Sequence, residues 1–169
     1  MTDDQLNQLS AAVGRLLQRD NATVTAAESC TGGWICKVLT DIAGSSAWFN
    51  RGFVTYSNDA KQQLVGVSGE SLAKWGAVSE PVVNEMAQGA LRAADAQFAV
   101  AVSGIAGPDG GSAEKPTGTV WFGFAAADGR AVARRQLFAG DREAVRRQAT
   151  AYALQTLHDE FLENKLDTV

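Results

Sequence analysis

The sequence predicts an α/β fold with a mixed, largely parallel sheet covered by helices on both faces. Three observations carry this expectation. Helical and strand-like segments alternate along the chain in the order αβαβααβββα, and alternation of that kind implies parallel strands joined by crossover helices. Phe98 to Val102 is an unbroken apolar run, as in a strand buried on both faces. Asp128-Gly129 separates two strand-like segments and signals a hairpin, which makes the sheet mixed.

The elements follow in order. Leu6, Leu9, Val13, Leu16 and Leu17 recur at helical spacing, with Asp3 or Asp4 as the expected cap. Residues 22–27 read as a short buried strand ending at Glu28-Ser29. Gly32-Gly33 then leads into a helix from Trp34 to Ile42. Residues 48–56 read as a strand, followed by a short helix capped by Ser57 or Asn58 and carrying Lys61 and Leu64. Ser79-Glu80-Pro81 starts a helix that runs to about Ala94, with a capping hydroxyl, an acid and a proline in place. After the 98–102 strand comes a glycine-rich loop from Ser103 to Gly118, then strands over 119–127 and 131–138. Asp141 caps a long last helix with Val145, Ala149, Tyr152 and Leu157 on one face.

Length and composition narrow the function. At 169 residues the chain has the length of one domain, and residues 1–169 are read as one. The net charge of -4 speaks against a nucleic-acid binder, which usually presents a basic face. No apolar run approaches a membrane span, and Met1 to Gln5 lacks the pattern of a signal peptide. A cytoplasmic protein is expected, with no membrane partner. Two cysteines, Cys30 and Cys36, and one histidine cannot supply four metal ligands without carboxylates, so a structural zinc is not expected; no other metal and no cofactor is expected for the chemistry read below.

Ligands of such folds gather at the carboxyl ends of the strands, which draws attention to the loops 28–33, 56–61 and 103–118. In Glu28-Ser29-Cys30-Thr31-Gly32-Gly33, Ser29 stands where a strand turns into a helix. Free N–H groups at a helix start favour developing negative charge. Thr31, Gly32 and Gly33 are therefore candidates for holding an oxyanion or for close backbone approach to a ligand. The competing reading is that Ser29 or Thr31 only caps the helix.

A serine nucleophile needs a base. His158 lies beside Asp159 and Glu160 near the end of the last helix and reads as a surface residue, so a Ser-His-Asp triad is not expected. Lys61 is the best-placed alternative, because desolvation can bring a lysine toward neutrality and Ser-Lys pairs are a variant of the same logic. Its competing reading is an exposed helical lysine. Tyr56 is a candidate to hold a proton or hydrogen bond between the two, or is an aromatic at a strand end. Cys30 is a rival nucleophile without a neighbouring histidine to activate it. The loop beginning Ser103-Gly104 lacks the spacing of a dinucleotide fold or a P-loop and reads as pocket wall. Arg142, opening the last helix, suits a carboxylate or phosphate.

Five segments then become recognisable: 25–33 (TAAESCTGG), 52–58 (GFVTYSN), 76–80 (GAVSE), 103–111 (SGIAGPDGG) and 118–121 (GTVW). Together and in order, they resemble the C-terminal domain of the CinA family, in its stand-alone amidase form. The resemblance implies a three-layer α/β/α sandwich with a mixed, mostly parallel sheet. It also implies hydrolysis of nicotinamide mononucleotide to nicotinate mononucleotide and ammonia, in pyridine-nucleotide recycling. Carried over residue by residue, it makes Ser29 the nucleophile, places Tyr56 and Lys61 as its proton-handling partners, puts Ser46 of Gly44-Ser45-Ser46 in the pocket, and has Arg142 grip the phosphate. The nucleotide pyrophosphatase activity of longer relatives is not expected. A homodimer or higher homo-oligomer is expected. The rival from another class is a non-catalytic nucleotide-binding module in which Arg142 and the glycine loops hold a phosphate and Ser29 caps a helix.

Overall fold

The apolar run 98–102 becomes the middle strand of the sheet, the position with most neighbours to bury it. The computed structural model describes residues 1–163. In chain order it contains α1 (Asp3–Arg19), β1 (Val24–Glu28), α2 (Trp34–Thr40), a 3-10 turn (Ser45–Ala47), β2 (Phe53–Val54), α3 (Asn58–Val65), α4 (Gly69–Trp75), α5 (Glu80–Ala94), β3 (Phe98–Gly104), β4 (Thr119–Ala126), β5 (Ala131–Leu137), α6 (Arg142–Thr156) and a π-helical turn (Leu157–Leu162). The sheet order is β2-β1-β3-β4-β5. β1 pairs in parallel with β2 and β3, while β4 is antiparallel to both β3 and β5. Every strand but β4 therefore points the same way. The sheet is mixed and mostly parallel in direction, with β4 the one reversed strand: the chain turns back through the 105–118 loop before it and at the hairpin Asp128-Gly129 after it, where Gly129 adopts a φ of 100°.

Alternation along the strands sorts two cores. Val24, Ala26, Phe98, Val100, Phe122 and Phe124 face a layer holding Leu6, Val13 and Leu17 of α1, Ile35 and Leu39 of α2, and Val145, Ala149 and Leu154 of α6. The opposite face is built from small residues, Ala27, Ala99, Ala101 and Ala125, and meets Val82, Val83, Met86, Ala87 and Ala90 of α5. Those small residues let α5 lie close against the sheet. A Cβ on Gly123 of β4 would strike the Val83 carbonyl, and one on Gly89 of α5 would strike the carbonyl of Val65 at the end of α3. Three layers result. No helix among the described residues is long and apolar enough to cross a membrane.

Several elements differ from expectation. The strand expected over 48–56 shrinks to Phe53–Val54. Its aromatic start serves the core instead: Trp48 is buried and lies flat on Gly14 of α1, where a Cβ would come within 2.6 Å of the indole. Phe49 touches the sheet only through a single bridge to Val24. Helix α4 was not anticipated, although Ser68 signals it by accepting from the N–H groups of Glu70 and Ser71. Thr2 rather than Asp3 or Asp4 caps α1, in a capping box with Gln5. Ser79 occupies the N-cap position of α5, but its hydroxyl donates to the Gly76 carbonyl and accepts no helix amide. Asp141 caps α6 as expected, accepting from Ala144 N–H.

Candidate active site

β1, β2 and β3 deliver their carboxyl ends to one edge of the sheet. Residues 29–30, 56–61 and 103–106 meet there, around a pocket of about 290 Å³ lined by Ser29, Cys30, Tyr56, Asn58, Lys61, Ala77, Val78, Ser103, Gly104, Ala106 and Arg142. The floor is built by strand pairing: Ser29 N–H donates to Val102 O at 3.0 Å, so the end of β1 is tied to β3.

Lys61 sits on the buried side of α3, the helix that Ser57 caps by accepting from Ala60 N–H. The lysine is only 1% exposed. Its Nζ donates to Thr55 O at 2.8 Å and to Tyr56 O at 3.4 Å, and lies 3.1 Å from Ser29 Oγ. Burial lowers its pKa, because the charged form is deprived of water. No carboxylate is among its hydrogen-bond partners. An amine with a depressed pKa beside a serine hydroxyl can take the hydroxyl proton.

Cys30 points the other way energetically. It is 5% exposed, and burial pushes its thiol up to about 12, so it is protonated at neutral pH. Burial likewise raises Cys36. The sole histidine, His158, hydrogen-bonds Asp159 through Nδ1 at 2.7 Å, on the π-helical turn, and is not part of the pocket lining. His158, Asp159 and Glu163 are the only grouping of possible metal ligands among the described residues. They are close neighbours on one turn of chain, away from the Ser29 pocket, and carry no site.

The other expected residues divide. Ser103, which is buried, and Gly104 line the pocket, as do Tyr56 and Arg142. Arg142 donates to Gly107 O at 2.7 Å and to the Tyr56 hydroxyl at 3.4 Å. The Tyr56 side chain is thus at the rim, 64% exposed. Only its carbonyl meets Lys61, and its hydroxyl is turned to Arg142. Thr31 is fully buried and donates its hydroxyl to Glu28 at 2.6 Å. Gly32 and Gly33 line a separate cavity of about 430 Å³ on the outer side of the same turn. Their φ angles of 60° and 102° mark them as turn formers. Ser46 is not brought to the pocket. It is exposed in the 3-10 turn, next to Trp48, whose carbonyl accepts from Val24 N–H at the start of β1. Ser29 follows the other end of that strand, roughly 16 Å away. Strand direction alone separates them.

Two features escaped sequence reasoning. Asn58 lines the pocket, freed because Ser57 takes the capping role. Glu28, fully buried, accepts from Thr31 Oγ1, from Ile35 N–H at 2.8 Å and from Cys36 N–H at 2.9 Å. It therefore occupies the N–H groups at the start of α2 that were expected to face a ligand. Gly32 N–H is also engaged, by Ser29 O at 3.0 Å. Among the described residues, the N–H groups of Cys30, Thr31 and Gly33 have no partner. A carboxylate directly before the Ser-Cys-Thr segment was the available signal for the Glu28 role.

The model of the CinA C-terminal domain matches residues 6–161. The nicotinamide-nucleotide amidohydrolase PncC of Escherichia coli strain K12 is 70% identical over 164 residues, covering 97% of this chain and 99% of that protein. The protein of the same name from Pseudomonas putida is 52% identical, covering 91% of this chain and 96% of its own. A crystal structure titled competence damage-inducible protein A, from Klebsiella pneumoniae subsp. pneumoniae MGH 78578, superposes with a TM-score of 0.89 at 42% identity, over 94% of this chain and 98% of that one.

Proposed function

The chain belongs to the CinA C-terminal-domain family, and on that premise we propose that it hydrolyses the carboxamide of nicotinamide mononucleotide to nicotinate mononucleotide and ammonia. The observation that carries the proposal is the buried Lys61 Nζ at 3.1 Å from Ser29 Oγ, in a chain 70% identical to a nicotinamide-nucleotide amidohydrolase.

The chemistry uses the side chains and backbone amides of the pocket together with one water. Lys61, neutral in its desolvated setting, removes the Ser29 hydroxyl proton as Oγ attacks the carboxamide carbon. The oxyanion that forms is held by the N–H of Cys30, the residue after the nucleophile, which lines the pocket. The tetrahedral intermediate collapses, Lys61 returns the proton to the departing nitrogen, and ammonia leaves an acyl-enzyme ester on Ser29. Lys61 then deprotonates a water that attacks this ester, releasing nicotinate mononucleotide and restoring the Ser29 hydroxyl. Arg142 at the rim holds the phosphate by charge-assisted hydrogen bonds. Tyr56, Asn58, Ser103 and Gly104 shape the walls between the two ends.

The test is ammonia release from nicotinamide mononucleotide by the purified protein and by Ser29→Ala, without added metal. Release by the wild type that vanishes in the variant is expected. Release that survives Ser29→Ala would overturn the serine mechanism. Nucleotide binding without release would favour a binding module.

A further inference from the structure

We propose that Arg146 is a positioning residue for this reaction: it grips the outer carbonyls of the Ser29 turn and so fixes the peptides that hold the nucleophile in place. The proposal rests on the amidase reading above.

Arg142 and Arg146 are four residues apart on α6 and so share a helix face, but they serve opposite sides of the Ser29 turn. Arg142 reaches over the pocket. Arg146 reaches beneath it, donating from Nε to Cys30 O at 3.0 Å and from Nη2 to Thr31 O at 3.5 Å. Its guanidinium also lies 6.0 Å from the centre of the Trp34 ring. The neighbouring carboxylates of Asp3 and Glu143 pair with Arg147 instead. Arg146 has no carboxylate partner among the described residues. A charged fork directed at two consecutive main-chain carbonyls fixes the orientation of those peptides.

That orientation has a consequence at the nucleophile. In a planar trans peptide, the carbonyl and the following N–H point in opposite directions. Drawing Cys30 O toward Arg146 therefore turns Thr31 N–H away from Arg146. Drawing Thr31 O the same way turns Gly32 N–H inward, and Gly32 N–H does meet Ser29 O at 3.0 Å. The peptide that Arg146 holds at Thr31 O is thus the one whose N–H closes the turn on Ser29 itself. Gly32 fits the same arrangement: beyond its φ of 60°, a Cβ there would come within 3.0 Å of Arg146 Nη2.

The outer cavity of about 430 Å³ includes Arg146 in its lining, so a small cation can reach the space vacated by truncation. The experiment compares wild type, Arg146→Ala and Arg146→Lys in ammonia release from nicotinamide mononucleotide, with and without millimolar guanidinium chloride, against sodium chloride of equal ionic strength. Arg146→Ala is expected to lose about 10- to 100-fold in kcat, less than deleting an oxyanion donor outright, with KM changed by less than about threefold. Guanidinium, and not sodium, restores part of that kcat. Arg146→Lys, which keeps the charge but not the fork, retains an intermediate kcat. Unchanged kcat in Arg146→Ala overturns the proposal, as does a rise in KM alone or a loss in kcat that guanidinium fails to recover. Absence of release by the wild type sinks the amidase reading itself, and is distinguished by that control.

Discussion

Lys61 Nζ lies 3.1 Å from Ser29 Oγ although 31 residues of chain separate the two, and the lysine is held there by the carbonyls of Thr55 and Tyr56 rather than by any acid. Carbonyls direct the amine without fixing its charge. Burial then sets its acidity.

The pH dependence follows from that direction of shift. Lys61 titrates below its ordinary value of 10.5 in the folded protein, and in the proposed mechanism the neutral amine is the active form. The acid limb of the kcat–pH profile is expected to rise with pH, with its midpoint below 10.5. Stability moves the same way. Between the folded pKa and 10.5 the unfolded chain binds more protons, so stability rises with pH through that window, and the penalty for charging Lys61 is complete below it. Thermal melts across pH should therefore show the wild type gaining on Lys61→Met as pH rises. Lys61→Arg, which cannot deprotonate, should be inactive at every pH.

Tyr56 and Arg142 should separate binding from chemistry. The Tyr56 hydroxyl meets Arg142 and not the Ser29–Lys61 pair. Steady-state kinetics on Tyr56→Phe are expected to show a raised KM and a kcat within about fivefold of wild type. A kcat lowered by orders of magnitude would return Tyr56 to the proton relay. Arg142→Ala should raise KM for nicotinamide mononucleotide by about 10- to 100-fold, the loss of a charge-assisted contact of about 1.5–3 kcal/mol. It should leave nicotinamide riboside, which lacks the phosphate, nearly unaffected.

Glu28→Gln tests the buried anchor. The glutamine oxygen can replace one carboxylate oxygen, but its NH₂ cannot accept from the second donor. One of the three donors, from Thr31, Ile35 or Cys36, is then left buried and unpaired. The expected cost is about 1–3 kcal/mol, read as a lowered urea midpoint with unchanged m-value.

Gly89→Ala reverses the sign that helix propensity assigns. Alanine in a helix interior is ordinarily worth about 1 kcal/mol over glycine. Here the new methyl meets the Val65 carbonyl, so a net loss of about 1–3 kcal/mol is expected. A raised melting temperature would refute the close approach of α5 to the end of α3.

The sequence by itself determined the sheet class, the polarity of the hairpin, most helices and the three loops that carry chemistry, because each of these is written in local periodicity, capping and turn residues. It also determined that Ser29 stands at a strand-to-helix turn. It overestimated the strand before Tyr56, since the aromatic pattern of Trp48 and Phe49 records burial and not ladder pairing. The tertiary structure alone decided which polar groups meet. Ser46, expected in the pocket, lies beside the beginning of β1, while Ser29 follows its end, and strand direction is not a local property. Glu28 takes the helix N–H groups, so oxyanion donors narrow to the turn before the helix. The sequence singles out Lys61 as the best-placed base but leaves an exposed helical lysine as its competing reading. Only its packing against the Ser29 turn and the Thr55 and Tyr56 carbonyls removes its water, which raises the cost of charging it.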